Sequence, residues 1–308
     1  MNTTLFSGVF IFILGTVIGS FLNVVIDRLD TERSAFEGRS FCPYCGKTLS
    51  WWEMVPVLNY IYLRGRCSSC HHRLPLQYPI IEALTGILFL SAYLRFLRFP
   101  LINNSIFYNL FYYFSHFNLE TLFLILTFLI WLYWIFVLIS IALYDLKKYL
   151  VASEILLPAI IISFIYKIII GIVLHFNHFF LLEQTNYLLG SDTLLFGQYN
   201  YFLSLFLGIF FGFSLIASLA FFTKEKAMGW GDALIGILMG IILGFPNIII
   251  ALIITFLSGG FISFILIALN KKTMKSYLPF APFLVLGTLS VLLFGDIIIK
   301  GYLLILLL

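Results

Sequence analysis

The chain has 308 residues, of which 62% are hydrophobic, 19% aromatic and only 10% charged, with a net charge of +4. Its mean hydropathy is +1.06. A soluble domain needs roughly a quarter of its residues charged to keep its surface solvated, so this composition excludes one and describes a protein of the lipid bilayer. Nothing in so small a positive charge points to a nucleic-acid partner.

Helices of about 20 apolar residues cross the hydrocarbon core, because no water there satisfies an open backbone. Eight are expected, over residues 5–26, 79–97, 119–144, 151–174, 201–222, 233–246, 248–269 and 280–295. The expected fold class is an all-α polytopic membrane protein. The first segment has no Lys or Arg ahead of it and ends in VVIDRLD rather than at a small-residue cleavage site, so it reads as a retained helix and not a signal peptide. The sixth is short. The tail, 296–308, is too short for a ninth span and reads as an interfacial segment. No internal repeat or low-complexity stretch is apparent.

Orientation follows from the 18 basic residues. Arg28, Arg33, Arg39, Lys47, Arg64, Arg66 and Arg73 lie between the first two spans, Lys147 and Lys148 follow the third, Lys224 and Lys226 the fifth, and Lys271, Lys272 and Lys275 the seventh. The opposite loops hold only Arg95, Arg98 and Lys300, with Lys167 in or at the far end of the fourth span. By the positive-inside rule the odd-numbered spans end in the cytosol and both termini lie outside.

The first cytosolic loop, 27–78, contains all four cysteines in CPYCGKTLSWWEMVPVLNYIYLRGRCSSC. Two C-x-x-C knuckles, Cys42/Cys45 and Cys67/Cys70, are separated by 21 residues, a spacing that suits a tetrahedral zinc ribbon. Two disulfides are the alternative, which a reducing cytosol opposes. Four thiolates close the coordination sphere, so the zinc is expected to be structural. His71 and His72 are expected to stay outside it as solvated or supporting residues.

Two acids fall at cytosolic helix ends. Asp145, in LIALYDLKKYLVASEILLP, ends the third span, and Asp232, in AMGWGDALIGILMG, opens the sixth. Each has a bland explanation: Asp145 neutralised at the interface by Lys147 and Lys148, and Asp232 as an N-cap after Gly229-Trp230-Gly231. Yet Asp232, Gly236, Gly240 and Gly244 recur at steps of four, a strip that lets another helix approach closely and makes the carboxylate face protein. Two such carboxylates in a partly dry site share a proton. One then serves as general base on water while the other polarises a peptide carbonyl, the chemistry of an aspartyl protease.

These residues carry a family resemblance that covers nearly the whole chain. GSFLNVVIDRL (19–29), the segment from SFCPYCG through VPVLNYIYLRGRCSSCHHRLPLQYPIIEALTG, Asp145 with Pro158 after it, GWGD (229–232) and LPFAPFLVLG (278–287) together resemble the bacterial type IV prepilin peptidases, also called leader peptidase/N-methyltransferases. The resemblance implies a bifunctional enzyme of the bacterial cytoplasmic membrane. It would cut the leader from type IV prepilins or pseudopilins at the cytosolic face, after a glycine, and methylate the new N-terminal residue with S-adenosylmethionine. Asp145 and Asp232 would be catalytic, supported by Gly229 and Gly231 of the motif, and Cys42, Cys45, Cys67 and Cys70 would hold zinc.

The implied organisation is a first helix at 1–26, a methyltransferase-associated zinc loop at 27–78 and a GxGD peptidase domain at 79–308. Asn23 and Glu82 match signature positions and are candidates for supporting polar roles, although Asn23 shares a strip with Gly15, Gly19 and Asp27 that helix packing explains equally well. No glycine-rich nucleotide signature marks a site for the methyl donor. Leu234 stands where the family commonly has a lysine, for which Lys224 or Lys226 would have to substitute, and Ala152-Ser153 replace the usual Pro-Asp. The rivals are a preflagellin-type or presenilin-like GxGD peptidase, whose members lack the cysteine loop, and a transporter or inactive scaffold with a docking loop.

Overall fold

The computed structural model describes residues 2–29, 40–97, 119–176, 201–225, 228–271 and 278–306. Long helices are α1 (Asn2–Arg28), α3 (Gln77–Leu97), α4 (Leu119–Lys148), α5 (Ser153–Phe176), α6 (Tyr201–Thr223), α7 (Trp230–Leu243), α8 (Asn247–Ala268) and α9 (Ala281–Leu306). Between α1 and α3 come a 3-10 turn at Trp52–Met54 and a short helix, α2 (Leu58–Tyr62). Among the described residues the only strand-like pairings are two isolated bridges, Phe41 with Thr48 and Arg66 with Arg73.

Each expected span is a helix, but the spans are not equal. Six are long and apolar enough to cross a membrane, while Trp230–Leu243 and the apolar part of α9, Ala281–Gly295, are shorter. At 1.5 Å per residue the 14 residues of α7 reach only about 21 Å, less than a hydrocarbon core of about 30 Å. The tail departs from expectation: α9 runs without a break to Leu306 instead of ending near 295. The segment DIIIKGYLLIL contains no proline, and single charges interrupt its composition without interrupting its backbone hydrogen bonding. Arg95, expected in an outer loop, is instead buried in the last turn of α3, its guanidinium 5.7 Å from the Trp131 ring centre.

The chain divides into two compact units, Met1–Phe136 and Val137–Leu308. In the first, α1 packs along α3. Gly15 and Gly19 make this possible: a Cβ on either would come within 2.8 Å of backbone, at Gly86 and Glu82. Further along α3, Tyr93 and Phe96 meet Phe128 and Trp131 edge-on.

In the second unit α7 is the central element, packed against α5, α6, α8 and α9. Its glycine strip meets a matching one, so that Gly236 abuts Gly212 and Gly240 abuts Gly208, backbone on backbone. The helix stops at Gly244, whose φ of +67° is open to glycine. Ser204 of α6 then fixes the turn, its carbonyl accepting from Phe245 N–H at 3.0 Å and its hydroxyl donating to Phe245 O at 2.7 Å.

Candidate active site and metal centre

Asp145 and Asp232 both belong to the second unit, and both are buried, with 6% and 9% of their surface exposed. They lie close enough for the charge on Asp232 to act on Asp145. Asp145 is carried on the last turn of α4 and its Oδ2 accepts from Ala281 N–H, at the first residue of α9, at 3.0 Å. A carboxylate thus satisfies one of the donors that a helix start leaves open. The bond joins positions 136 residues apart.

Asp232 is not the N-cap of its helix. That position is Gly229, and Asp232, three residues on, reaches back to accept from Gly229 N–H at 3.2 Å. This is half of a capping box, in which the acid one turn inside the helix satisfies the backbone before it. The structural and reactive readings are therefore compatible, since one oxygen can hold the helix start while the other faces the site. Gly231 is demanded by its surroundings, because a Cβ there would lie 2.7 Å from Val151 Cγ2. At Gly229 the nearest atom would be 3.9 Å away, and its φ of −86° suits any residue.

The segment joining α4 to α5 supplies Val151 and, next to it, Ala152, which is buried and whose carbonyl accepts from Ile155 and Leu156 N–H to start α5. Ala152-Ser153 therefore still begins a helix in place of Pro-Asp. Leu234 is half-buried on α7, Lys224 is exposed after α6, and Lys226 lies outside the described residues.

In the cysteine loop all four sulfurs lie within 4.8 Å of one another, with Cys42 and Cys67 buried and Cys45 and Cys70 exposed. Cys42 Sγ and Cys70 Sγ are 3.9 Å apart. A tetrahedral ion with metal–sulfur bonds of about 2.3 Å needs sulfurs about 3.8 Å apart, so the donor set fits zinc in number, type and spacing. None of the four cysteines forms a disulfide. N–H groups of Cys70 and Ser69 pull the Cys67 thiol down to about 6. The Cys70 thiol receives the His72 N–H, yet burial and the neighbouring sulfurs push it up to about 11. Thiols this close cannot all ionise by themselves, whereas a divalent cation would hold all four as thiolates. His71 and His72 stay outside the cluster, and His72 instead lies against Tyr44 with ring centres 3.5 Å apart.

The knuckles form a local repeat, contrary to the expectation of none. Cys42 N–H bonds Lys47 O as Cys67 N–H bonds His72 O; Gly46 bonds Cys42 as His71 bonds Cys67; Leu49 bonds Ser40 as Leu74 bonds Gly65. Even the left-handed residue recurs, Gly46 at φ +72° and His71 at φ +54°. Outside C-x-x-C the copies share only Leu49 and Leu74, seven residues after the first cysteine, so little in the sequence marks the repeat. Glu53 straps the two together, accepting from Ser50 N–H at 2.7 Å, from the Ser68 hydroxyl and from Lys47 Nζ at 2.9 Å. The same three partners, Ser50 first, hold its carboxyl down at about 2.

Residues 13–96 match the model of the bacterial peptidase A24 N-terminal domain. A prepilin leader peptidase/N-methyltransferase from Myxococcus xanthus is 47% identical over 88 residues, 29% of this chain and 26% of that relative. Its namesake from Bacillus subtilis aligns from end to end, 27% identical over 95% of this chain and 96% of its own length. The chain is thus similar to prepilin leader peptidase/N-methyltransferases along nearly its whole length. The member from Pseudomonas aeruginosa is likewise 27% identical over 94% of this chain and 91% of its own. No solved structure matches. The matched family model covers the cysteine loop and its flanking helices, and similarity to these relatives extends across nearly the whole chain, the helices that carry the aspartates included.

Proposed function

We propose that this multi-pass membrane protein removes the leader peptide of type IV prepilins or pseudopilins and methylates the N-terminus so exposed. The observation that carries the proposal is the burial of Asp145 and Asp232 within one helical unit, each with a backbone N–H already in place on one oxygen. Basic residues beside the cysteine loop, in the last turn of α4 and after α6 support a site facing the cytosol, with the N-terminus outside. The scissile bond would then be met where a substrate helix leaves the bilayer.

One carboxylate takes a proton from water, and the resulting hydroxide adds to the scissile carbonyl carbon. The other carboxyl donates its proton to the carbonyl oxygen. Collapse of the tetrahedral adduct breaks the C–N bond as one of its hydroxyls returns a proton to the second carboxylate, and the leaving amine receives the proton abstracted from water. The oxygens of Asp145 and Asp232 bonded to Ala281 and Gly229 fix each carboxyl plane, leaving the other oxygens for water and substrate.

Residues 79–308 would carry this peptidase chemistry. Residues 27–78, following the first helix at 1–26, would carry the methyltransferase-associated part, held in shape by zinc on Cys42, Cys45, Cys67 and Cys70. S-adenosylmethionine supplies an electrophilic methyl group when bound. The test is to incubate detergent-purified wild type and Asp232→Asn with a synthetic prepilin and S-adenosylmethionine and to read product masses. Product both shortened and one methyl heavier from the wild type alone is expected. Cleavage by the variant at the wild-type rate would remove the aspartate pair, and cleavage without methylation would leave the loop a structural role only.

A further inference from the structure

We infer that the cavity beneath the cysteine knuckles binds the charged methionyl end of the methyl donor, S-adenosylmethionine. The cavity measures about 200 Å³ and lies wholly within the first compact unit, between the knuckles and the adjoining ends of α1 and α3. Among the residues lining it are Asn23 and Asp27 from α1, Glu82 from α3, and Arg66 from the second knuckle. The strip Gly15, Gly19, Asn23, Asp27 thus does two things along its length. Its glycines close α1 onto α3, and beyond Gly19 its polar members, which also bond Tyr78 at the start of α3, line a hollow beside the knuckles.

The chemistry of that wall is specific. Asn23 is 96% buried, its Nδ2 donates to Tyr78 O at 3.4 Å, and its Oδ1 is a buried acceptor without a partner. An orphaned buried acceptor of this kind is costly unless something donates to it. Glu82, also buried, accepts from Val57 N–H at 2.7 Å and from the Ser20 hydroxyl, and Val57 holds a φ of +60°, which a β-branched residue seldom adopts. Both groups are acceptors, so they suit a ligand rich in donors or positive charge. The methionyl part of the donor offers an ammonium and a sulfonium, and it carries one carboxylate for which Arg66 is the matching cation. Apolar Met54, Leu63 and Leu74 complete the lining.

Volume decides how much of the donor enters. Sites that enclose a whole drug-sized ligand span roughly 300–1,000 Å³, so this hollow takes the amino-acid end and leaves the adenosine toward the mouth. The four sulfurs form part of the same wall through Cys42 and Cys67, which gives a metal in the knuckles a purpose besides folding: it holds the roof of the cavity at a fixed height.

The inference rests on the methyltransferase half of the proposed function, and the experiment separates the two. Full-length protein in detergent is titrated with radiolabelled S-adenosylmethionine, then irradiated so that the cross-linked peptide can be located by mass spectrometry. Glu82→Gln and Asn23→Leu are expected to weaken binding at least tenfold, with the cross-link falling within residues 40–82. Zinc content and melting temperature are measured on each variant. Arg66→Gln, at an exposed position, carries the same expectation without touching the core. Wild-type affinity in Arg66→Gln and Glu82→Gln, with a cross-link elsewhere, would overturn the placement while methylation stood. A wild type that neither binds the donor nor methylates would overturn both, and binding displaced only by the cleaved peptide's N-terminus would reassign the cavity to the acceptor amine.

Discussion

In the cysteine loop the reactive atoms are placed by bonds between near neighbours in the chain. Cys42 to Lys47 and Cys67 to His72 each span five residues, and Glu53 joins the halves. In the aspartate site the groups come from three helix ends, and the bond that orients Asp145 spans 136 residues. The first arrangement depends on short-range backbone geometry together with a ligand set. The second depends on whether a bundle packs. One region should therefore fail when its metal is taken and the other when its helices are pushed apart.

The largest effect tests the aspartates without touching the packing. Asp145→Asn and Asp232→Asn are close to isosteric, and leader cleavage should fall by about 10²–10⁴ in kcat while melting temperature shifts little. A variant that retained full activity would sever the chemistry from the pair. Next, Cys67→Ser or prolonged chelation should lower zinc from one equivalent to well below it, measured by inductively coupled plasma mass spectrometry. Methylation should be lost while the helical circular dichroism of the bundle persists. Cooperative unfolding of every helix on chelation would show that the two regions are not separable in this sense.

A smaller effect comes from the glycine seam. Gly236→Ala sets a methyl against the Gly212 carbonyl, and overpacking of this kind costs about 1–3 kcal/mol. Thermal midpoint and cleavage rate should fall together, with zinc content unchanged; loss of zinc instead would contradict the division. The smallest effect concerns Glu53. Its folded value, about 2, lies below the ordinary carboxylate value, 4.5, so its ionised form stabilises the loop above the ordinary value. That contribution fades as pH drops toward the folded one. Glu53→Gln should cost about 0.5–1 kcal/mol at neutral pH, and the gap between the two melting curves should close as the buffer is taken below pH 4.5. A gap independent of pH would assign the loss to packing.

The same contrast explains what the sequence revealed. C-x-x-C spacing reports a local geometry, so the four-sulfur cluster was legible, as were the helices, whose apolar runs report the bilayer directly. The strip of Gly236 and Gly240 correctly implied a close partner but not which helix, because α6 announces its matching Gly208 and Gly212 only once the pairing is known. Ala281 was missed because its contribution is a backbone N–H, which no side chain advertises; Pro282 beside it was the available hint of a helix start. The repeat of the knuckles escaped notice because it resides in backbone bonds. The tail was misjudged because Asp296 and Lys300 mark a change in polarity, and a helix in progress does not stop for that.

Because Asp145 is held by the first residue of α9, the proposed peptidase chemistry would need nearly the whole of the described chain. A chain ended before Ala281 would contain both acids and the entire cysteine loop, yet one acid would lack the group that sets its plane. During synthesis the same order applies. The ribosome delivers both carboxylates well before α9, so under the proposed mechanism leader cleavage would have to wait until that helix docks.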